Sequence, residues 1–94
     1  MADAKKLIGA QVELIKKQDV DGLKKTFTAR LADRITAENV KKAADQLKSY
    51  TLDDLVAAVE TKGDSVKIKM KNGRSLTTLV KDGGAWKADT VWFK

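Results

Sequence analysis

The segment Val66-Lys67-Ile68-Lys69-Met70-Lys71 alternates apolar and charged residues without a break. Successive side chains of a strand point to opposite faces, so this is the pattern of a sheet with one face covered and one face wet. Upstream the apolar spacing is threefold and fourfold instead. The change of period near residue 52 predicts an α+β domain, with helices over about 3–50 packed on one face of a curved antiparallel sheet of about four strands over about 52–94. No proline, low-complexity stretch or internal repeat interrupts the chain, so residues 1–94 are read as a single domain.

Three helices are expected. In the first, from about Asp3 to Lys17, Ala4, Leu7, Gln11, Leu14 and Ile15 share a face and the lysines point elsewhere. Asp19 is placed to cap a second, in which Val20, Leu23, Phe27 and Leu31 recur at threes and fours. Thr36, with Glu38 in the first turn, opens a third that buries Val40, Ala43, Ala44 and Leu47 and stops near Ser49 or Tyr50. From Leu52 to Glu60 the alternation is weaker, and strand and helix both fit.

Turn length sets which side chains the sheet turns inward. A two-residue turn at Asn72-Gly73 would set Ile68 against Thr77 and Met70 against Ser75, putting polar groups in the core. A three-residue loop, Lys71-Asn72-Gly73 with Gly73 left-handed, sets Ile68 against Leu76 and Val66 against Thr78, with Val80 on the same face. The same reasoning at Asp82-Gly83-Gly84 sets Val80 against Trp86 and continues the covered face through Ala88, Thr90 and Trp92. Val56, Ala58, Leu79, Val91 and Phe93 then fall on the outer face. Apolar residues there predict cover by a second copy or another protein.

Composition narrows the chemistry. There is no histidine or cysteine, which removes disulfides, thiolate nucleophiles, most transition-metal sites and the usual neutral-pH base. No catalytic signature, metal cluster or phosphate loop stands in the sequence, so a non-enzymatic protein without cofactor is expected. The net charge of +6 invites a nucleic-acid reading. Only Arg30, Arg34 and Arg74 are arginine, however, and the lysines are spread along the chain as solvated faces require. Nucleic acid is therefore not an expected partner. Lys67, Lys69 and Lys71, with Lys81 and Lys87, are read as a stripe that guards the sheet against edge pairing. No stretch is apolar enough to cross a bilayer, and the first residues lack a secretion signal's apolar segment. That leaves a cytoplasmic address by default.

The order helix, Asp19-Val20-Asp21-Gly22-Leu23 opening a second helix with Phe27, third helix, then a sheet ending in Asp82-Gly83-Gly84-Ala85-Trp86-Lys87 resembles the nuclear transport factor 2-like, or cystatin-like, superfamily. The resemblance implies a cone-shaped sheet wrapped round a long helix, dimerisation through the sheet, and in some members a pocket at the open end. It is closest to the uncharacterised and lumazine-binding-like bacterial branches, which commonly sit in exported or lipid-anchored proteins; an excised domain of such a protein is the alternative address. Members resembling ketosteroid isomerase place acids, tyrosines or histidines in the cone. Here Tyr50 is the only tyrosine, and the Asp53-Asp54 pair is explained by capping.

Two readings result. The first is a small binding or scaffold domain that forms a homodimer through Val56, Ala58, Leu79, Val91 and Phe93. The second is a carrier of a small apolar ligand, or a degenerate enzyme, with an interior pocket around Trp86 and Trp92 that also draws on Tyr50, Met70, Thr78 and Thr90. Filling of a small core by the same aromatics is the plainer account.

Overall fold

A computed structural model describes residues 2–93. Helix α1 (Ala2–Lys16) is followed by a short α2 (Val20–Lys24), a 3-10 segment (Ala29–Arg34), α3 (Ala37–Gln46), a 3-10 turn (Leu47–Ser49) and a single-turn α4 (Leu52–Leu55). Strands β1 (Ala58–Lys62), β2 (Ser65–Lys69), β3 (Ser75–Asp82) and β4 (Ala85–Ala88) then form an antiparallel meander in sequence order. The α+β class and the four-stranded sheet are as the change of period predicts. The sheet begins later than expected, because Thr51 and Asp54 close a reciprocal capping box that winds residues 52–55 into helix.

The helix starts follow from their caps. The Asp19 carboxylate accepts from the Gly22 N–H at 3.0 Å, and Thr36 Oγ1 accepts from the Asn39 N–H at 3.2 Å. The second helix is shorter than its spacing suggests. Thr26 Oγ1 donates back to the Leu23 carbonyl at 2.6 Å, and the β-branched and aromatic run Thr26-Phe27-Thr28 leaves the helix for the sheet. There the Ala88 N–H donates to the Thr26 carbonyl (2.9 Å) and the Thr28 N–H to the Ala88 carbonyl (3.0 Å), a parallel bridge that pairs Phe27 with Ala88. Phe27 is buried all the same, edge-on to Phe93 with ring centroids 5.8 Å apart.

The register departs from expectation at both long turns. Met70 N–H donates to Arg74 O at 2.7 Å, and Gly73 is left-handed at φ +85°, so Lys71-Asn72-Gly73 is the three-residue loop expected. Lys69 then pairs with Ser75, but Ile68 pairs with Thr77 and Val66 with Leu79. A bulge at Leu76 absorbs the difference and leaves two successive side chains, Leu76 and Thr77, buried. Thr77 can be buried because its hydroxyl is 2.7 Å from Thr90 Oγ1 and donates to the Thr90 carbonyl at 3.2 Å, which satisfies the polar group that sequence reasoning kept out of the core.

At the last hairpin Asp82 pairs with Ala85, so Gly83-Gly84 is a two-residue turn instead of a three-residue loop. Both glycines have positive φ, +62° and +85°, which is the primed geometry that matches strand twist. Leu79 consequently stands opposite Ala88, and both are buried, while Thr78 and Val80 fall on the other face.

The predicted apolar outer face is absent: the register turns Leu79 inward, and Val56, Val91 and Phe93 lie outside the strands. Val56, Leu79 and Phe93 are buried core residues, at 1%, 1% and 4% exposure, and Val91 is half-buried against that core. Only Ala58 of that set lies on the uncovered face, beside Glu60, Lys67, Lys69, Thr78, Val80 and Lys87. That face is polar: Lys69 Nζ meets Glu60 at 2.9 Å, and the hydrogen bond and charge of Lys69 hold the Glu60 carboxyl below its ordinary pKa. Lys81, expected with the outward lysines, instead stands opposite Trp86, its Nζ 5.4 Å from the ring centroid.

A candidate binding groove at the Tyr50 end

Three of the six residues singled out from the sequence as a ligand site meet at one end of the molecule. Tyr50, Met70 and Trp92 line a groove of about 150 Å³ with Gln46, Leu47, Leu55, Leu76 and Phe93. Each arrives from a different element. Leu47 and Tyr50 end the helical layer, where Tyr50 N–H donates to the Leu47 carbonyl at 3.2 Å and α3 cannot continue. Leu55 comes from α4, Met70 and Leu76 from the base of the bulged β2–β3 hairpin, and Trp92 and Phe93 from the chain beyond β4. The three-residue loop would set Leu76 against Ile68, and the bulge keeps Leu76 buried while bringing Thr77 opposite Ile68 on the same side.

Trp92 is the best-anchored wall. Its indole N–H donates to Gln11 Oε1 at 2.7 Å, and the Gln11 amide donates to Thr26 Oγ1 at 3.0 Å and the Thr26 carbonyl at 3.3 Å. Gln11 is fully buried, so these bonds tie α1, the segment after α2 and the chain beyond β4 into one polar thread through the core. Phe93 stands edge-on to Trp92 at 5.4 Å and 87°. Tyr50, by contrast, is 48% exposed, the one large apolar side chain so open among the described residues.

A second, shallower recess of about 280 Å³ lies on the same Tyr50 and Met70 side chains, lined also by Ser49, Asp54, Lys71 and Asn72. Its carboxylate is committed to structure. Asp54 Oδ2 accepts the Thr51 N–H at 3.1 Å, and this bond is the main cause holding the Asp54 carboxyl below its usual range, helped by the Thr51 hydroxyl and the Lys71 charge against a desolvation penalty. Lys71 N–H donates to the Asp54 carbonyl at 2.9 Å, which fixes the hairpin against α4.

The other three expected site residues lie elsewhere. Trp86 lines a depression with Asp3, Ala4, Thr61, Val66 and Leu79, so the two tryptophans do not share a pocket. Thr78 is on the uncovered face, where its carbonyl accepts the Asp89 N–H at 2.8 Å. Thr90 is used up by Thr77. Sequence reasoning places Leu76 on the covered face but does not single it out for the pocket, and it turns Phe93 outward by extending the alternation of β4 past Ala88, where the strand ends. It also passed over Gln11 as an anchor; the available signal was a lone amide on an otherwise apolar helical stripe.

Among the described residues no cluster of acidic side chains is arranged to hold a metal ion, and no helix is long and apolar enough to cross a membrane. No family model, curated protein or solved structure matches the chain.

Proposed function

We propose that this is a non-enzymatic binding domain whose groove at Tyr50, Met70 and Trp92 takes one aromatic side chain of a partner protein. The observation that carries the reading is the size and make-up of the groove. Small-molecule sites commonly offer roughly 300–1,000 Å³, whereas a cavity on the order of 150 Å³ suits a single benzene-sized ring. The rim supplies what protein-binding hot spots use, an exposed tyrosine and a fixed tryptophan, with methionine as the adaptable element. Chemistry is not part of the proposal, since Asp54 is engaged in a cap and the Trp92 N–H is already donated inside the protein. The likeness to the nuclear transport factor 2-like superfamily belongs to the same proposal; the order of helices and meander supports it, and so does a recess at one end of the sheet.

The test is titration of the protein with N-acetyl-phenylalaninamide, followed by heteronuclear NMR. Shifts confined to Met70, Leu76, Trp92 and the Tyr50 region, lost in Tyr50→Ala, are expected. Uniform or absent shifts at millimolar probe would remove the groove from consideration.

A further inference from the structure

The two edges of the sheet are finished differently. β4 is closed at Ala88 by the Thr26–Thr28 segment, as described above. β1 has β2 beside it and, among the described residues, no strand on its other side. It is exposed along its length apart from Val59.

The hairpin that joins β1 to β2 decides which main-chain groups that edge offers. Lys62 pairs with Ser65 across the two-residue turn Gly63-Asp64, so Lys62, Glu60 and Ala58 direct their N–H and C=O groups to β2. Val59 and Thr61 direct theirs away from the sheet. An incoming strand would find two residues' worth of donors and acceptors there, the arrangement used in strand addition.

Side-chain charge then selects the strand. Glu60 and Lys62 stand on the uncovered face, two residues apart and opposite in sign. For two copies of β1 lying antiparallel about a two-fold axis, residues facing each other must lie on the same face, so the axis has to pass through a residue. An axis at Glu60 sets Glu60 against Glu60, and one at Lys62 sets Lys62 against Lys62; both are repulsive. An axis at Val59 sets Glu60 against Ala58 and gains nothing. An axis at Thr61 sets Glu60 of each copy against Lys62 of the other, twice by symmetry, with Thr61 facing Thr61 on the covered side.

We propose that β1 is a docking edge for a second copy of this chain, joined antiparallel about a two-fold axis at Thr61 so that the sheet runs continuously through both. The charges that bar other registers admit this one. The proposal does not depend on the groove, which lies at a different part of the molecule. It replaces face-to-face dimerisation, whose expected apolar residues Val56, Leu79 and Phe93 are buried in the core.

Sedimentation velocity over a concentration series tests it, with far-UV circular dichroism to confirm folding. Wild type is expected to pass from monomer to dimer. Thr61→Pro removes an N–H that points off the edge and that the β1–β2 ladder does not use, so the variant should fold and stay monomeric. Glu60→Lys and Lys62→Glu each turn two attractive pairs into two repulsive ones and should weaken the dimer by roughly tenfold or more, and the double charge swap should restore it. A wild type that is monomeric to about 1 mM, a dimer indifferent to Thr61→Pro, or a double swap no better than the single changes would each overturn the proposal.

Discussion

Cutting the Gln11–Trp92 thread should cost more than its solvent-facing neighbours on α1 suggest. Gln11 is fully buried and takes part in three hydrogen bonds: two donated to Thr26 and one accepted from Trp92. Gln11→Ala loses these at about 1 kcal/mol each, partly regained where Trp92 and Thr26 can reach water, and adds a void from the missing side chain; about 3 kcal/mol in all is expected. Trp92→Phe keeps most of the ring but strands Gln11 Oε1 in the core, for about 2 kcal/mol. The bond between the two residues should appear as a coupling of about 1 kcal/mol in a double-mutant cycle measured by urea unfolding with equal m values. In a domain of this size the Gln11→Ala loss lowers Tm by more than about 10 °C. Additive changes within about 0.3 kcal/mol, or a Gln11→Ala protein as stable as the parent, would refute the argument that this thread fixes Trp92.

Other outcomes follow from single features. Phe27→Ala removes a buried ring that packs on Phe93 and should cost about 3–5 kcal/mol in chemical denaturation. Trp86→Ala should cost less, about 1–3 kcal/mol, because that ring is only partly buried against the core and not enclosed by it as its alternation suggested. Gly84→Ala meets no neighbouring atom but must hold φ near +85°, so roughly 1–2 kcal/mol of backbone strain is expected, whereas Gly83→Asn should be close to neutral. The Asp54 carboxyl is lowered in the folded protein, so the folded state binds its proton less readily than the unfolded chain. Its contribution is complete above the ordinary aspartate pKa and fades as pH falls through the lowered value. An NMR acid titration should therefore show the Thr51 amide moving with a midpoint below that of a free aspartate; a midpoint at or above it would contradict the cap.

What the sequence made legible was mostly local. Asp19 and Thr36 act within one turn of their own positions, and the alternation from Val66 to Lys71 needs no partner to be recognised. The errors arose where a distant group changed the rules. Thr77 reads as a surface residue until Thr90 is known to meet its hydroxyl, and rejecting a buried Thr77 led to rejecting the register that β2 and β3 adopt. The bulge at Leu76 reconciles a turn read correctly with a register read incorrectly, and nothing adjacent to Leu76 announces it. That register is what turned Leu79 from core to surface, and at Gly83-Gly84 a single misjudged residue of loop length set Val80, in place of Lys81, against Trp86. The groove was half legible: Tyr50, Met70 and Trp92 are placed by their own segments, while Phe93 turns inward because the chain leaves the sheet after Ala88 and the alternation no longer applies.

The bridge between Phe27 and Ala88 also governs how the molecule comes apart. The Thr28 hydroxyl reaches Asp89 at a sequence separation of 61, and the Trp92 indole reaches Gln11 at a separation of 81. Closing such long spans is slow, because the chain entropy of a large loop is lost before the contact is gained. Neither the helical half nor the meander can then mature alone: the last strand lacks its outer neighbour until residues 26–28 arrive. A single calorimetric transition is the natural behaviour of such a clasped molecule, and a cut in the connection near Lys48 should leave two fragments that remain together until both unravel.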